Sequence, residues 1–173
     1  RRSAGFPAAF ILAAGLLMRA PLVAAPPVLS DDIYRYVWDG RVSTAGVNPF
    51  RHAPLDSALV ALRDPDWQKI NNPALVTIYP PAAQGLFWLG ARFLPGVTGM
   101  KLLLVAADLL LAWLLSRRFA GPGDSWRLVL YWWHPLPVVE FAWSGHVDIL
   151  GVLFLMGALL AVESRWKTEA SAA

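Results

Sequence analysis

The stretch SDDIYRYVWDGRVSTAGVNPF, residues 30–50, interrupts a chain that is otherwise dominated by long apolar runs. It begins with two adjacent carboxylates, Asp31 and Asp32, at the point where a membrane helix would release the chain into water. Glycine, asparagine and proline near its end indicate a loop. We therefore take this stretch as the element around which the rest of the chain is organised.

The residues from Asp31 to Val42 predict a short amphipathic helix with Ser30 as its N-cap. Spacings of three and four residues place apolar side chains on one face and polar side chains on the other. The apolar face contains Ile33, Tyr36 and Val37, and the polar face contains Asp32, Arg35 and Asp39. Two interpretations stay open: a catalytic carboxylate pair on a rigid helix at a membrane surface, or a solvated helix start that favours acids.

The composition is that of a membrane protein. Of the 173 residues, 57% are hydrophobic and 16% are charged, against roughly 25% charged residues in soluble domains. The chain has no cysteine, which excludes disulfides and thiol chemistry. Its basic residues are scattered or stand at helix ends, so no nucleic-acid partner is predicted. Because it opens on Arg1 without a methionine, we expect a fragment of a longer protein.

The apolar runs divide the chain into six segments. They are a first span (4–29), an outer loop (30–76), an interfacial or re-entrant helix (78–94) and three further spans (97–116, 126–144 and 147–162). The segment 78–94 has about seventeen residues, which is the lower limit for crossing a bilayer.

Three basic clusters orient these segments. The positive-inside rule places Arg1/Arg2, Arg117/Arg118 and Arg165/Lys167 in the cytoplasm. Four spans satisfy all three clusters, whereas five would place one of them outside. We therefore predict an all-α membrane protein with four spans, in which the turn 143–148 emerges on the same extracytoplasmic face as Asp31 and Asp32.

Several side chains on this face are candidates for chemistry. Adjacent carboxylates such as Asp31 and Asp32 cannot titrate independently when partly desolvated, so one would have a raised pKa and suit a general base. His146 and Asp148 offer a base, a hydrogen-bond donor or metal ligands, although a metal site there requires a non-helical turn. Glu140 is either structural or a partner of His146.

Two charges lie within predicted spans. Counted from the outer ends, Arg19 and Asp108 reach similar depths, so we predict a buried ion pair between them. A proton relay is the alternative, and it would suit a transporter. His134, in WWHPLP, is expected to be a satisfied interior histidine before a proline-induced kink. Trp132 and Trp133 are expected to serve in packing or as interfacial anchors.

The order of these parts resembles the amino-terminal half of GT-C membrane glycosyltransferases. The matching pieces are MRAPLV, SDDIYRYVWDGR, GVNPF followed by YPP, KLLLVAADLLLAWLL and HPLPVVEFAWSGHVD. The likeness is greatest to bacterial mannosyltransferase-like members (glycosyltransferase family 87) and extends to the GPI-anchor mannosyltransferase. It covers nearly the whole chain, and it rests on the order and spacing of the pieces rather than on any single motif.

The resemblance implies transfer of a hexose, with mannose expected, from a polyprenyl-phosphate donor to a glycolipid or glycan acceptor. The reaction would be inverting and would take place at the outer face of the plasma membrane. Asp31, or failing that Asp32, would be the catalytic base. The GPI-anchor relatives carry Asp-x-Asp at this place, whereas this chain has adjacent acids, so the resemblance leaves the choice between the two carboxylates open. The residues expected to bind substrate are Arg35, Tyr79, Glu140, His146 and Asp148. No cofactor is firmly implied, although Mg²⁺ or Mn²⁺ is compatible.

Two other classes of function compete with this one. One is a transporter or flippase that uses the intramembrane charges Arg19 and Asp108 as a relay, and the other is a non-catalytic assembly subunit. Activity without an ion gradient separates an enzyme from a transporter.

Overall fold

The structure, a computed structural model, describes residues 7–119, 121 and 124–172, with side chains up to residue 164. Its longer helices are α1 (Ala8–Ala24), α2 (Asp32–Thr44), α3 (Pro81–Phe93) and α4 (Val97–Arg118). After them come a 3₁₀ turn (Ser125–Leu128), two short helices, α5 (Val129–Trp132) and α6 (Pro135–Pro137), a π-helical segment (Val138–Ser144) and α7 (Asp148–Ala172). The described part of the chain contains no strand, so the all-α prediction is confirmed there.

One helix among the described residues has the length and composition of a membrane span. This is α4, whose 22 residues match the predicted span 97–116. Helix α1 is apolar but has only 17 residues and ends at Ala24 rather than at residue 29; the beginning of the predicted first span, at residues 4–6, lies outside the described residues. Helix α3 lies within the segment 78–94, and the interfacial placement of that segment stays a prediction. The four-span topology itself stays a prediction.

The segment 126–144, expected as one span, is broken after Trp132. Pro135 cannot donate to the helical ladder, and the Leu136 amide donates to Nδ1 of His134 (3.1 Å) instead of to the carbonyl of Trp132. Contrary to expectation, His134 is exposed and caps the next helix. The Trp132 carbonyl is thereby freed, and Nη1 of Arg19 donates to it at 2.9 Å.

Two tryptophans join this broken segment to α1, as expected for packing residues. Nε1 of Trp132 donates to the Leu12 carbonyl (3.0 Å), and Nε1 of Trp133 donates to the Ile11 carbonyl (2.9 Å). Trp132 is fully buried. A Cβ atom at Gly15 would lie 2.0 Å from its ring, so only glycine permits this approach of indole to helix.

The carboxyl end of α1 is satisfied by a buried lysine. Nζ of Lys101, in the second turn of α4, donates to the carbonyls of Leu22 (3.2 Å) and Ala25 (2.7 Å). Nε1 of Trp143 donates to the carbonyl of Pro26 at 2.9 Å. Helix ends leave carbonyls without partners, and these donors satisfy some of them. They also fix α1 against α4 and the π segment.

Helix α2 is largely buried on both of its predicted faces, and on the polar face only Asp32 is partly exposed. Arg35 is 5% exposed and Asp39 is 1% exposed. The cause is α3, which packs along α2. The contact is so close that a Cβ atom at Gly40 would lie 2.2 Å from the Phe87 carbonyl oxygen. Ser30 does contribute at the start of the helix, where its hydroxyl accepts from the Asp32 amide (3.2 Å).

The long loop after α2 is ordered by acids that cap short 3₁₀ turns. Asp56 accepts from the Ala58 amide, and Asp64 accepts from the Trp67 amide. The Arg41 guanidinium binds Asp64 and holds the pKa of that carboxyl below its usual range. A hydrogen bond from His52 likewise lowers the pKa of Asp56. The loop is therefore tied back to α2 rather than free.

Candidate functional site

The structure separates the two adjacent acids. Asp31 is exposed just before α2. Asp32 is half-buried, and its Oδ1 accepts from Nδ2 of Asn71 at 2.7 Å. Asp32 also lines two grooves, neither of which is lined by Asp31. Of the two predicted catalytic residues, Asp32 is therefore the one placed to meet a ligand.

Asp32 stands beside a pair of tyrosines that remain protonated at neutral pH. The ring of Tyr36 stacks on Phe87 (4.6 Å between centroids) and meets Tyr79 edge-on (4.9 Å). Burial raises the pKa of both tyrosines above the ordinary value, and the nearby Asp32 carboxylate raises each further. Both hydroxyls are therefore neutral hydrogen-bond donors beside the carboxylate. Tyr79 was predicted as a substrate-binding residue, whereas Tyr36 was assigned only to the apolar face.

A buried polar network supports this wall of the site. Nε of Arg35 donates to Oδ1 of Asp39 at 2.8 Å, and Nε2 of Gln84 donates to Oδ2 of the same carboxylate at 3.0 Å. Nε2 of Gln84 also donates to Oγ1 of Thr77 (2.8 Å). Buried charges persist where they are paired in this way. The network fixes α2, α3 and the loop that runs from Thr77 into Tyr79, Pro80 and Pro81 (the YPP loop) around Asp32.

The larger groove has a volume of about 680 Å³ and brings Asp32 and Asp148 to one surface. The turn 143–148 and the start of α2 thus line one groove, whereas their placement on the extracytoplasmic face stays a prediction. The remaining lining of the larger groove is mostly apolar, and it includes the side chain of Ile78, which is 83% exposed. The full lining consists of Asp32, Tyr36, Ile78, Tyr79, Pro80, Ala82, Ala83, Val147, Asp148, Leu150, Gly151 and Phe154. An apolar groove with a few convergent polar groups is the usual form of a ligand site.

The smaller groove, of about 190 Å³, lies on the other side of Asp32 and Tyr79. It contains Arg35 and is more polar. Its lining consists of Asp32, Arg35, Asn71, Asn72, Leu75, Val76, Ile78 and Tyr79. Asp32, Ile78 and Tyr79 thus form the border between the two grooves.

Glu140 and His146 lie in a third groove of about 310 Å³. Nδ1 of His146 lies 2.5 Å from Oε2 of Glu140, so the predicted partnership is present. Gly145, at φ +76°, ends the π segment and lets the chain turn between these residues. Asp148 lines both this groove and the larger one. Glu140 and His146 therefore share one groove with Asp148, and Asp148 shares the larger groove with Asp32.

The predicted ion pair between Arg19 and Asp108 is present and closed off from solvent. Nε of Arg19 lies 2.8 Å from Oδ2 of Asp108, and the two side chains are 1% and 0% exposed. The hydroxyl of Tyr131 donates to the other carboxylate oxygen at 2.5 Å. The Arg19 guanidinium lies 3.5 Å from the centroid of the Trp132 ring. This arrangement favours a structural pair over a proton relay, which needs a route to water.

The described residues contain no group of three histidine, cysteine, aspartate or glutamate side chains placed to hold a metal ion. A role for Mg²⁺ or Mn²⁺ stays an expectation from the resemblance.

Two residues of the site were not predicted from the sequence. Asn71, which orients Asp32, and Gln84, which holds Asp39, both come from outside the stretch 30–50. Asn71 carried no signal, since it lies in a polar loop. Gln84 was an uncharged polar residue in the middle of a largely apolar run, and this could have marked it as a buried partner.

Comparison with known proteins identifies the family of the chain. Residues 5–173 match the family model described as alpha-(1→6)-mannopyranosyltransferase, N-terminal domain. A relative from Mycobacterium tuberculosis, alpha-(1→6)-mannopyranosyltransferase A, is 28% identical over 163 residues, which cover 84% of this chain and 29% of the relative. The chain thus spans about three tenths of that relative's length, and no solved structure matches it. From the family match over nearly its whole length, the chain belongs to the alpha-(1→6)-mannopyranosyltransferase family, as its N-terminal domain.

Proposed function

We propose that this domain supplies the general base of a GT-C type mannosyltransferase that uses a polyprenyl-phosphate mannose donor. The observation that carries the proposal is the position of Asp32, a half-buried carboxylate on the border between a polar groove and an apolar one. An amphiphilic donor and a hydroxylated acceptor need such a border. Mannosyl transfer is the activity named for the family.

The proposed reaction is an inverting displacement. Asp32 accepts the proton of the acceptor hydroxyl while that oxygen forms a bond to the anomeric carbon of mannose. The bond from the anomeric carbon to the phosphate oxygen breaks, and the lipid phosphate leaves with the electron pair. Inversion at a β-linked donor gives an α linkage, which is the linkage in the family's name.

The neighbours of Asp32 have supporting roles in this proposal. Asn71 holds one carboxylate oxygen and leaves the other for the substrate proton. Tyr79 donates a hydrogen bond beside the reacting hydroxyl. Asp148, together with Glu140 and His146, binds substrate from the opposite wall.

The exposed apolar wall suits the carrier lipid. Ile78 and Phe154 are large and exposed within the larger groove, and burying such surface against a prenyl chain stabilises by roughly 25 cal/mol per Å². We place this groove at the extracytoplasmic face of the plasma membrane, with the donor carrier in the bilayer and a glycolipid or glycan acceptor reaching in from outside.

Substitution of the two adjacent acids tests the proposal. In the full-length protein, Asp32→Asn keeps the shape of the side chain and its bond to Asn71 but removes the base. Since general-base catalysis contributes about 10²–10⁴-fold, mannosyl transfer in detergent without an ion gradient should fall by that factor.

Asp31→Asn is the matched control, since it makes the same chemical change one residue away in an exposed position. It should lower the rate by less than about tenfold, because general-base catalysis is not removed. Full activity of Asp32→Asn, or a larger loss in Asp31→Asn, would assign the base elsewhere.

A further inference from the structure

We propose that the smaller groove, beside Arg35, is the binding site for the neutral hexose ring of the acceptor that carries the attacking hydroxyl. This inference rests on the proposed function, because it names the ligand of one of the two grooves at Asp32. The groove's volume of about 190 Å³ lies below the roughly 300–1,000 Å³ of sites for drug-sized ligands. It therefore suits one sugar ring and not a whole glycolipid.

The first observation that points to a ligand is an unsatisfied arginine. Arg35 lines the groove and is 5% exposed, yet its Nη2 has no hydrogen-bond partner among the described residues. Its Nε is bound to Asp39 at 2.8 Å. Nη2 is itself closed off from solvent. A buried donor without a partner costs about 1–3 kcal/mol, so a ligand oxygen that reaches this guanidinium would lower the free energy of the site.

The charges at the groove favour a neutral polyol over a phosphate. Arg35 is the cation of the lining; it is already paired with the Asp39 carboxylate, and the Asp32 carboxylate belongs to the same lining. A dianionic phosphate would meet net negative charge there. Sugar hydroxyls, in contrast, both donate and accept, which matches a lining of one carboxylate, two amides, one guanidinium and one phenol.

The backbone at Asn72 gives a second, independent observation. Asn72 has φ +46° and is the one non-glycine residue in the described chain with a positive φ. Its amide side chain is exposed and lines the groove. Such conformations cost free energy and cluster at ligand sites, and asparagine supplies an amide that glycine, the easier residue for this backbone, would lack.

The position of the groove assigns it to the acceptor. A base must be within hydrogen-bond reach of the proton that it removes, and Asp32 is the carboxylate of this groove's wall. The larger apolar groove on the other side of Asp32 and Tyr79 is left for the donor. Arg35, Asn71 and Asn72 are accordingly positioning residues for the acceptor ring.

Kinetics on the full-length protein test this assignment. Asn72→Gly removes the amide but keeps a residue that adopts a positive φ without strain. We expect the KM for the acceptor to rise about three- to tenfold, the effect of one neutral hydrogen bond, with the KM for the donor unchanged. Gln68→Ala is the matched control, since it removes an exposed amide on the same loop outside the groove, and it should change neither constant.

Direct binding gives a readout that does not require turnover. By saturation-transfer NMR, methyl α-mannopyranoside should bind the wild type and bind Asn72→Gly more weakly, whereas inorganic phosphate should not compete. Arg35→Lys retains the charge opposite Asp39 but loses the planar fork, so it should weaken sugar binding while the protein stays folded by circular dichroism.

The two hypotheses fail differently. If the wild type transfers no mannose but still binds the sugar in this groove, the proposed function fails and the groove assignment stands. If transfer proceeds and Asn72→Gly leaves both the acceptor KM and sugar binding unchanged, the assignment is overturned. Phosphate binding that is lost in Arg35→Lys would also overturn it, in favour of an anion site.

Discussion

Replacing Asp108 with asparagine should destabilise the protein far more than the loss of a surface charge would. Arg19, on α1, would keep its position against the broken segment, where it is 1% exposed, but without a counter-charge. Breaking a buried pair by removing one partner costs about 3–5 kcal/mol. Asparagine preserves the shape of the side chain, so this cost reports on charge and not on a cavity.

The contacts of the pair set the expected cost of a double replacement. Arg19→Met with Asp108→Leu removes both charges, but it leaves the Trp132 carbonyl and the Tyr131 hydroxyl without their present partners. Each unsatisfied buried group costs about 1–3 kcal/mol, so the double variant should lose about 2–6 kcal/mol. The single replacements Arg19→Met and Asp108→Leu should together lose about 6–10 kcal/mol of unfolding free energy. The difference is the coupling energy between Arg19 and Asp108.

Reversible unfolding of the full-length protein in mixed detergent micelles, followed by tryptophan fluorescence, measures these free energies. Glu163→Gln is the matched control, because Glu163 pairs with Arg118 at the far end of α4 in an exposed position; it should cost no more than about 1 kcal/mol. Additive effects of the Arg19 and Asp108 replacements, within about 0.5 kcal/mol, would show that the two residues do not stabilise each other.

Two further predictions concern the outer loop and the topology. The Arg41 guanidinium lowers the pKa of Asp64. The contribution of this ion pair to stability is therefore present above the unfolded pKa of about 3.9 and is lost as the pH falls through the lower folded pKa. Exchange of the loop amides, corrected for intrinsic rates, should accelerate below about pH 4 in the wild type, whereas Asp64→Asn should exchange faster at pH 7 and show little of this acid dependence. Under the four-span topology, a cysteine that replaces Ser57 in the cysteine-free chain should react with an impermeant thiol reagent from outside. A cysteine that replaces Gly121 should react only after permeabilisation. External labelling at position 121 would refute the topology.

The position of the candidate catalytic carboxylate shows how much local sequence could predict. The adjacent acids Asp31 and Asp32 were recognisable as a candidate pair because they follow an apolar run. Sequence alone favoured Asp31, by resemblance. In the structure Asp31 is solvated and Asp32 faces two grooves, a difference that depends on Asn71 and on the YPP loop, both distant in sequence.

By itself the sequence determined the structure of individual segments and showed which individual residues need a partner. A run of apolar residues such as 97–116 predicts a helix because hydrophobic burial and backbone hydrogen bonding act locally. Two charges in apolar runs, Arg19 and Asp108, predict each other because neither is stable alone in an apolar environment. Prolines after His134 predict an interruption because proline lacks the amide proton.

The tertiary structure decided what covers each segment. The spacing of Arg35 and Asp39 shows that they share a helix face, but not that α3 lies over that face and that Gln84 completes their hydrogen bonds. The Trp132 carbonyl meets Arg19 only because the chain breaks there and α1 packs alongside. Periodicity reports which side chains lie together on one helix, whereas burial and partnership depend on the other helices, whose arrangement is a property of the whole chain.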